Sequence, residues 1–278
     1  MSDAAAEIEH HYGRGGLLDR FLAALKVAGK DLDNMSIDDL APIDELHSRR
    51  RLATEHLAAM VAPRPGERVL DIGSGRGGPA RYLAMVCGCR VTGIDLTAEF
   101  VATAAELARR TGLAHRVDFW QGSALNLPFS DASFDLAWSQ NVAMNIADRP
   151  RYYAEMRRVL KPAGRLAIQD VVQGPGGVPH YPVIWADTPA TSFLRTPEET
   201  RALLEAAGFQ MLAWQDNTDA AIAETQAERA QAAASGTVQP ILGVHVVVGP
   251  TFWDKARNGH RNMRENRIRL INAVLGRD

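Results

Sequence analysis

The apolar positions of this chain change period partway along it. Through about residue 60 they recur at helical spacing. Leu17-Leu18, Phe21-Leu22 and Leu25 form one stripe and Ala53 to Met60 another, with a polar stretch, Lys30 to Ile43, between them. From Val69 onward, short apolar runs of strand length alternate with helical segments. Strands are predicted at Val69 to Asp71, Val91 to Asp95, Val117 to Gln121, Phe134 to Ser139 and Arg165 to Val172, and helices at Pro79 to Met85, Ala98 to Arg110 and Tyr152 to Leu160. Such alternation predicts an α/β fold, a parallel sheet with helices on both faces.

Gly174-Pro175-Gly176-Gly177 interrupts the order, and Val178 to Phe193 reads as a proline-rich loop. Thr196-Pro197-Glu198-Glu199 then has the form of a helix start, with a capping hydroxyl, proline at the first position and acids in the first turn. That helix ends at Gly208, before a strand at Phe209 to Trp214 and an alanine-rich helix at Asp219 to Ala234.

Composition narrows the class. A chain of 278 residues, 46% hydrophobic and 23% charged, can bury a substantial core as one α/β unit. A net charge of −2 creates no field that would draw the molecule to nucleic acid or an anionic membrane. Asp3, Glu7 and Glu9 leave no room for the apolar segment of a signal peptide, and no run approaches membrane-spanning length. Cys87 and Cys89 are too close for a good mutual disulfide, and two thiols make no metal site. Free thiols suit a reducing compartment, so the expectation is a cytoplasmic protein with no metal, membrane or nucleic-acid partner. The basic tail (Arg257, Arg261, Arg264, Arg267, Arg269) has only Trp253 nearby, short of the aromatic interleaving of a nucleic-acid surface.

The candidate chemistry sits at the first strand end. Arg68 to Asp71 runs into a turn holding Gly73, Gly75, Gly77 and Gly78, and a helix begins at Pro79. A strand, a glycine turn and a helix N-terminus form a nucleotide cradle, because the backbone can approach the ligand and the helix end offers free N–H groups. The next strand ends in Asp95, where a carboxylate suits the two hydroxyls of a ribose. Gly73, Gly75 and Gly78 also satisfy the dinucleotide pattern, so a nicotinamide oxidoreductase is an alternative. Asp71, inside the strand end where pyrophosphate would need room, argues against it.

Four blocks in register, Val69 to Gly78, Gly122 to Phe129, Ser133 to Gln140 and Glu155 to Gly164, resemble the class I S-adenosylmethionine (SAM)-dependent methyltransferases. Outside them, His11-Tyr12-Gly13, Leu40 to His47, Met144 to Ala147 and Tyr181 to Ala186 are similar to the sarcosine/dimethylglycine N-methyltransferase branch, whose relatives methylate N, S, O and C atoms. The resemblance implies a Rossmann-like, mostly parallel sheet with an antiparallel last strand, flanked by helices. It also implies an N-terminal helical cover over 1–60 and a core over 61–278 with acceptor-loop insertions at 174–195 and 217–266. Ile241 to Val248 and Ile268 to Leu275 compete for the last strand, and the expectation falls on the second, at the chain end.

On this resemblance Gly73, Ser74 and Gly75 line the methionine part of SAM, with Asp71 orienting that turn or meeting the amino group. Asp95 takes the ribose, Leu96 flanks the adenine, and Ser123 and Ala124 complete the adenine site. Tyr12 closes over the sulfonium, and Gln140, Asn141 and Asn145 are positioning residues beside the methyl path. Asn141 stands where many relatives carry His, which takes away a proton acceptor. Met144, His180, Tyr181 and Trp185 form the acceptor wall, with plain aromatic packing as the competing account. Arg49-Arg50-Arg51 reads as a solvated helix face rather than a carboxylate site.

The expected function is methyl transfer from SAM to a small polar metabolite, first of all an amine nitrogen of the glycine, sarcosine or dimethylglycine kind, releasing S-adenosylhomocysteine. The alternative is an S-, O- or C-acceptor among specialised metabolites. A SAM-binding protein without transfer is a further one. The expected partner is the acceptor alone, the protein being a monomer or homodimer.

Overall fold

The computed structural model describes residues 15–235 and 242–278, so Tyr12 and its neighbours lie outside the described residues. Among the described residues, seven strands form one sheet: β1 (Arg68–Ile72), β2 (Arg90–Asp95), β3 (Val117–Gln121), β4 (Phe134–Gln140), β5 (Leu160–Gln173), β6 (Phe209–Asp216) and β7 (Ile268–Arg277). Their order is β3-β2-β1-β4-β5-β7-β6. β1 to β5 pair in parallel, and β7 runs antiparallel between β5 and β6, with Ile271 opposite both Asp170 and Asp216. The mostly parallel sheet with an antiparallel last strand is therefore present, and the segment at the chain end forms it. His245–Val248, with the stronger strand composition, is instead a short helix.

The pleat explains the near-continuous apolar runs. Val69, Leu136, Trp138 and Val274 point to one face, where they meet Leu57, Val61, Ala80 and Leu83. Leu70, Ile72, Ala137 and Ile271 point to the other, against Tyr152, Met156 and Leu204. Both faces of the central strands are covered, so both of their side-chain sets are largely apolar, while β3 and β6 are more exposed.

The α-helices among the described residues are α1 (Leu17–Val27), α2 (Ile37–Asp44), α3 (Arg50–Val61), α4 (Gly78–Met85), α5 (Ala98–Arg110), α6 (Arg149–Val159), α7 (Pro197–Ala206), α8 (Thr218–Ser235), α9 (His245–Val248) and α10 (Phe252–Arg264). α7 starts as its sequence predicts: Thr196 and Glu199 form a reciprocal capping box with Pro197 in the first turn. α1 and α2 share a core with α5 and α9 through Leu17, Phe21, Leu40, Phe100, Leu107 and Val247. α3, which ends at Val61, presses Leu57, Ala58 and Val61 onto the sheet.

α2 is tied to the glycine turn by buried charge. Arg81 Nη2 donates to both carboxylate oxygens of Asp44 at 2.7 Å and to the Arg76 carbonyl at 2.7 Å, while Nη1 reaches the Ala104 carbonyl of α5 at 3.2 Å. Burial raises the Asp44 pKa, and Arg81 counteracts it. Arg81→Met leaves that carboxylate without its partner and should cost about 3–5 kcal/mol of unfolding free energy by urea titration, and Asp44→Asn should cost a comparable amount because it leaves the buried guanidinium without its counter-charge.

Candidate active site

The sheet order reverses between β1 and β4, and ligands in open α/β sheets lie beyond the strand ends at such a point. A cavity of about 1720 Å³ opens there. Its floor is the turn after β1. Gly73 N and Ser74 N both donate to the Ile94 carbonyl, at 2.8 and 3.0 Å, and Gly75 N donates to Asp95 Oδ2 at 2.8 Å. Two glycines are required here for different reasons. At Gly73, φ is +73° and a Cβ would collide with Val142, whereas at Gly75, φ is +53° and a Cβ would enter open cavity.

Electrostatically the floor is acidic. Asp71 is buried, its Oδ2 has no hydrogen-bond partner among the described residues, and Ser74 Oγ beside it also lacks one. Burial, reinforced by Asp95 and Glu45, pushes the Asp71 carboxyl up to about 8. Asp95 accepts from Gly75 N and Thr97 N, and burial raises it as well. An orphaned buried carboxyl facing a cavity is the complement of an ammonium group, and a second carboxylate beside it suits hydroxyls.

The cavity draws together Asp71, Gly73, Ser74, Gly75, Asp95 and Leu96 at the ends of β1 and β2, Ser123 and Ala124 after β3, and Gln140, Asn141, Met144 and Asn145 at and after the end of β4. Several have other duties. Gln140 Oε1 accepts from Trp138 Nε1 at 2.8 Å and Thr54 Oγ1 at 3.2 Å, and its Nε2 donates to Gln169 Oε1 at 2.7 Å. It is a strut between α3 and the sheet. Asn145 Nδ2 donates to the Trp185 and Thr191 carbonyls, both at 2.9 Å, clamping the proline-rich loop. Ser123 Oγ accepts from Leu125 N at 3.2 Å, closing its own turn. Asn141, at φ +52°, keeps a buried Oδ1 without a partner.

The expected acceptor wall divides. Met144 and Trp185 line the cavity, while His180 and Tyr181 do not. The reason is local. His180 N donates to Asn262 Oδ1 at 2.8 Å and its Nε2 lies 2.8 Å from Glu265, so the residue is held against α10, and Tyr181 packs among Val183, Trp185 and Met263. In the arginine run Arg50 is solvent-exposed, Arg49 and Arg51 are largely withdrawn, and all three are paired with carboxylates. Arg49 makes a bidentate pair with Glu224 at 2.7 and 2.8 Å, Arg50 pairs with Glu228, and Arg51 Nε reaches Glu45 at 2.8 Å. Burial alone would raise Glu45, but His47, Arg51 and Thr54 together hold it at about 2.

The far wall comes from residues that strand-and-loop reading missed. α8 offers Ala221, Glu224, Thr225 and Glu228, and α10 offers Phe252, Lys255, Ala256, Gly259, His260 and Met263. Both sets recur every three or four residues, which is one helix face. The α10 periodicity was present in the sequence, hidden beneath the arginines of the opposite face. Arg261 on that face pairs with Glu265, as does Arg267 beyond the helix end, while Arg257 at the cavity edge pairs with Asp254.

Fold and site together define a binder of a nucleoside-bearing cation with a second chamber beside it. Residues 70–168 match the methyltransferase domain family. The sarcosine/dimethylglycine N-methyltransferase of Halorhodospira halochloris is 30% identical over 220 residues, 78% of this chain and 77% of that protein. The chain belongs to the class I SAM-dependent methyltransferases. The 27-O-demethylrifamycin SV methyltransferase of Amycolatopsis mediterranei (strain S699) is 37% identical over 143 residues, 51% of this chain and 52% of that protein. The chain spans only 23–52% of the length of the first curated relatives it matches. The solved structure of the [4+2]-cyclase SpnF is 26% identical, with a TM-score of 0.65 over 94% of this chain and 95% of that one. No helix among the described residues is long and apolar enough to cross a membrane.

The residues present fit SAM: Asp71 would meet the ammonium and Asp95 the ribose hydroxyls, with Gly75 leaving room between them. A proton balance follows. With its pKa near 8, Asp71 is protonated at pH 7 in the free protein, and a cation beside it favours the carboxylate. SAM binding at pH 7 should therefore release close to one proton, and affinity should rise from pH 6 to 8. Calorimetry in buffers of different ionisation enthalpy measures the release, and Asp71→Asn should abolish it. The same shift governs stability. Between about 4, where the unfolded chain ionises, and 8 the native state holds the extra proton, so Asp71 lowers the stability of the free protein as pH rises. Asp71→Asn should flatten that decline in thermal melts. Asp95→Ala should weaken SAM binding by about 1–3 kcal/mol in the same calorimetry.

Proposed function

We propose that the protein transfers a methyl group from SAM to a small-molecule acceptor, and that this acceptor is larger and more apolar than a glycine-type amine. The observation that carries this reading is the continuity of one cavity, about 1720 Å³, from the Asp71–Gly75 turn to the face of α10. A pocket for one drug-sized ligand is about 300–1,000 Å³, so the space suits the cofactor and a second molecule of comparable size. Phe252, Ala256, Met263, Met144 and Trp185 give the second half an apolar lining.

When bound, SAM supplies an electrophilic methyl group on a sulfonium, which the acceptor's lone pair takes up in line, leaving S-adenosylhomocysteine. The chain's part is to hold and to exclude. Asp71 neutralises the amino-acid end of the cofactor, Asp95 fixes its sugar, and Leu96, Ser123 and Ala124 border the base. The α1–α2 layer closes the cofactor side, and α8 and α10 close the acceptor side, keeping water from the reacting atoms.

An amine acceptor is the second reading, favoured by the N-methyltransferase relative that spans 77% of its length. The likeness to a [4+2]-cyclase motivates a third, in which SAM is bound but no methyl group moves. Release of S-adenosylhomocysteine separates them. Incubated with SAM and matched phenols, alcohols, thiols, amines and amino acids, the protein should turn over aromatic or polycyclic hydroxyl compounds at least tenfold faster than sarcosine or dimethylglycine. Faster turnover of the amines would reverse the acceptor assignment, and no release with any class would favour the cyclase-like reading.

A further inference from the structure

His260 stands on the cavity face of α10, about nine-tenths buried at 8% exposure, and its Nδ1 has no hydrogen-bond partner among the described residues. A buried imidazole nitrogen with nothing to bond carries a desolvation cost that a ligand can relieve. Apart from Arg229, which also lines this end of the chamber, the charged groups lining it are paired. Lys255, at 1% exposure, lies 2.8 Å from Asp187, and Glu224 and Glu228 are held by Arg49 and Arg50. Met263, one turn on, packs with the Met144–Trp185 cluster at the methyl side, so His260 belongs to the same wall as the β4 edge.

The surroundings select among ligand groups. Burial, together with the like charges of Arg229 and Arg264, lowers the His260 pKa and keeps the ring neutral at pH 7. The same two arginines disfavour a cation here and favour a group that carries or can develop negative charge. A neutral imidazole nitrogen either accepts or donates one hydrogen bond, depending on tautomer, and a hydroxyl is the group that suits both. The flanking surface is apolar and aromatic, with Phe252, Trp253 and His245 in mutual ring contact 4.9–6.1 Å apart between centroids.

We propose that His260 Nδ1 is the recognition point for an acidic hydroxyl on the acceptor, and that the acceptor is a hydroxylated, largely apolar ring compound of the phenol class. His260 is then a specificity-determining residue of the second chamber. The assignment rests on the methyl-transfer reading for what becomes of the hydroxyl, but not for its binding.

A matched set of ligands on one ring system tests it: 1-naphthol, naphthalene, 1-naphthylamine and 1-naphthoate, titrated by calorimetry into protein loaded with S-adenosylhomocysteine. The parent should bind 1-naphthol roughly tenfold more tightly than naphthalene, the effect of one hydrogen bond to a buried group. His260→Phe should erase that preference while leaving naphthalene and S-adenosylhomocysteine affinities unchanged. His260→Ala, measured alongside, keeps the comparison intact if the larger ring disturbs folding. Equal binding of naphthol and naphthalene by the parent, a preference that survives both substitutions, or equally tight binding of the amine or carboxylate would overturn the proposal. Failure of S-adenosylhomocysteine to bind would instead strike the cofactor reading, and the naphthol comparison would then be made on the unloaded protein.

Discussion

The guanidinium of Arg81 is the contact on which the cofactor side depends. It binds Asp44 of α2, the Arg76 carbonyl of the glycine turn and the Ala104 carbonyl of α5, so three separate parts of the chain meet on one planar group. The turn is thereby stiffened before any ligand arrives. Because Asp44 takes up most of this positive charge, Asp71 close by is left undercompensated and, with its pKa near 8, holds its proton. A rigid, preorganised turn and an unsatisfied carboxyl are two results of the same buried pair.

The cavity has two halves built by different means. The cofactor half uses strand ends and backbone geometry at the sheet's switch point, and the family match, residues 70–168, falls within it. The other half is lined by α8 and α10, which lie beyond that match and join the sheet through β6 and β7.

Most of the sheet was legible in the sequence because its central strands are apolar on both faces, whereas the outer strands β3 and β6 expose much of their length. Asp71, Gly75 and Asp95 could be read from their places at strand ends. The acceptor side could not be read in the same way. His180 and Tyr181 lie on the expected loop, but Asn262 and Glu265 turn His180 toward α10. Ion pairs between distant segments, such as Arg49 with Glu224, leave no trace in local pattern. The His260 face was masked by composition: charged and amide residues are interleaved through α10, while the cavity side carries the periodicity. Gln140 and Asn145 line the cavity, yet their amides bond the protein's own carbonyls and side chains.

Arg49 and Arg50 adopt left-handed backbone at φ +67° and +45°, two successive non-glycine residues in a conformation that costs each of them on the order of 1–3 kcal/mol. They are held there by carboxylates on α8, a helix nearly two hundred positions further along the chain. Part of the holding force is exposed to solvent, since Arg50 and Glu228 are 44% and 57% accessible at their side chains. Mobile ions screen such a pair. The junction between α3 and the acceptor helix is therefore a loaded spring whose catch is electrostatic, and the salt content of the surroundings bears directly on how firmly the chamber stays shut.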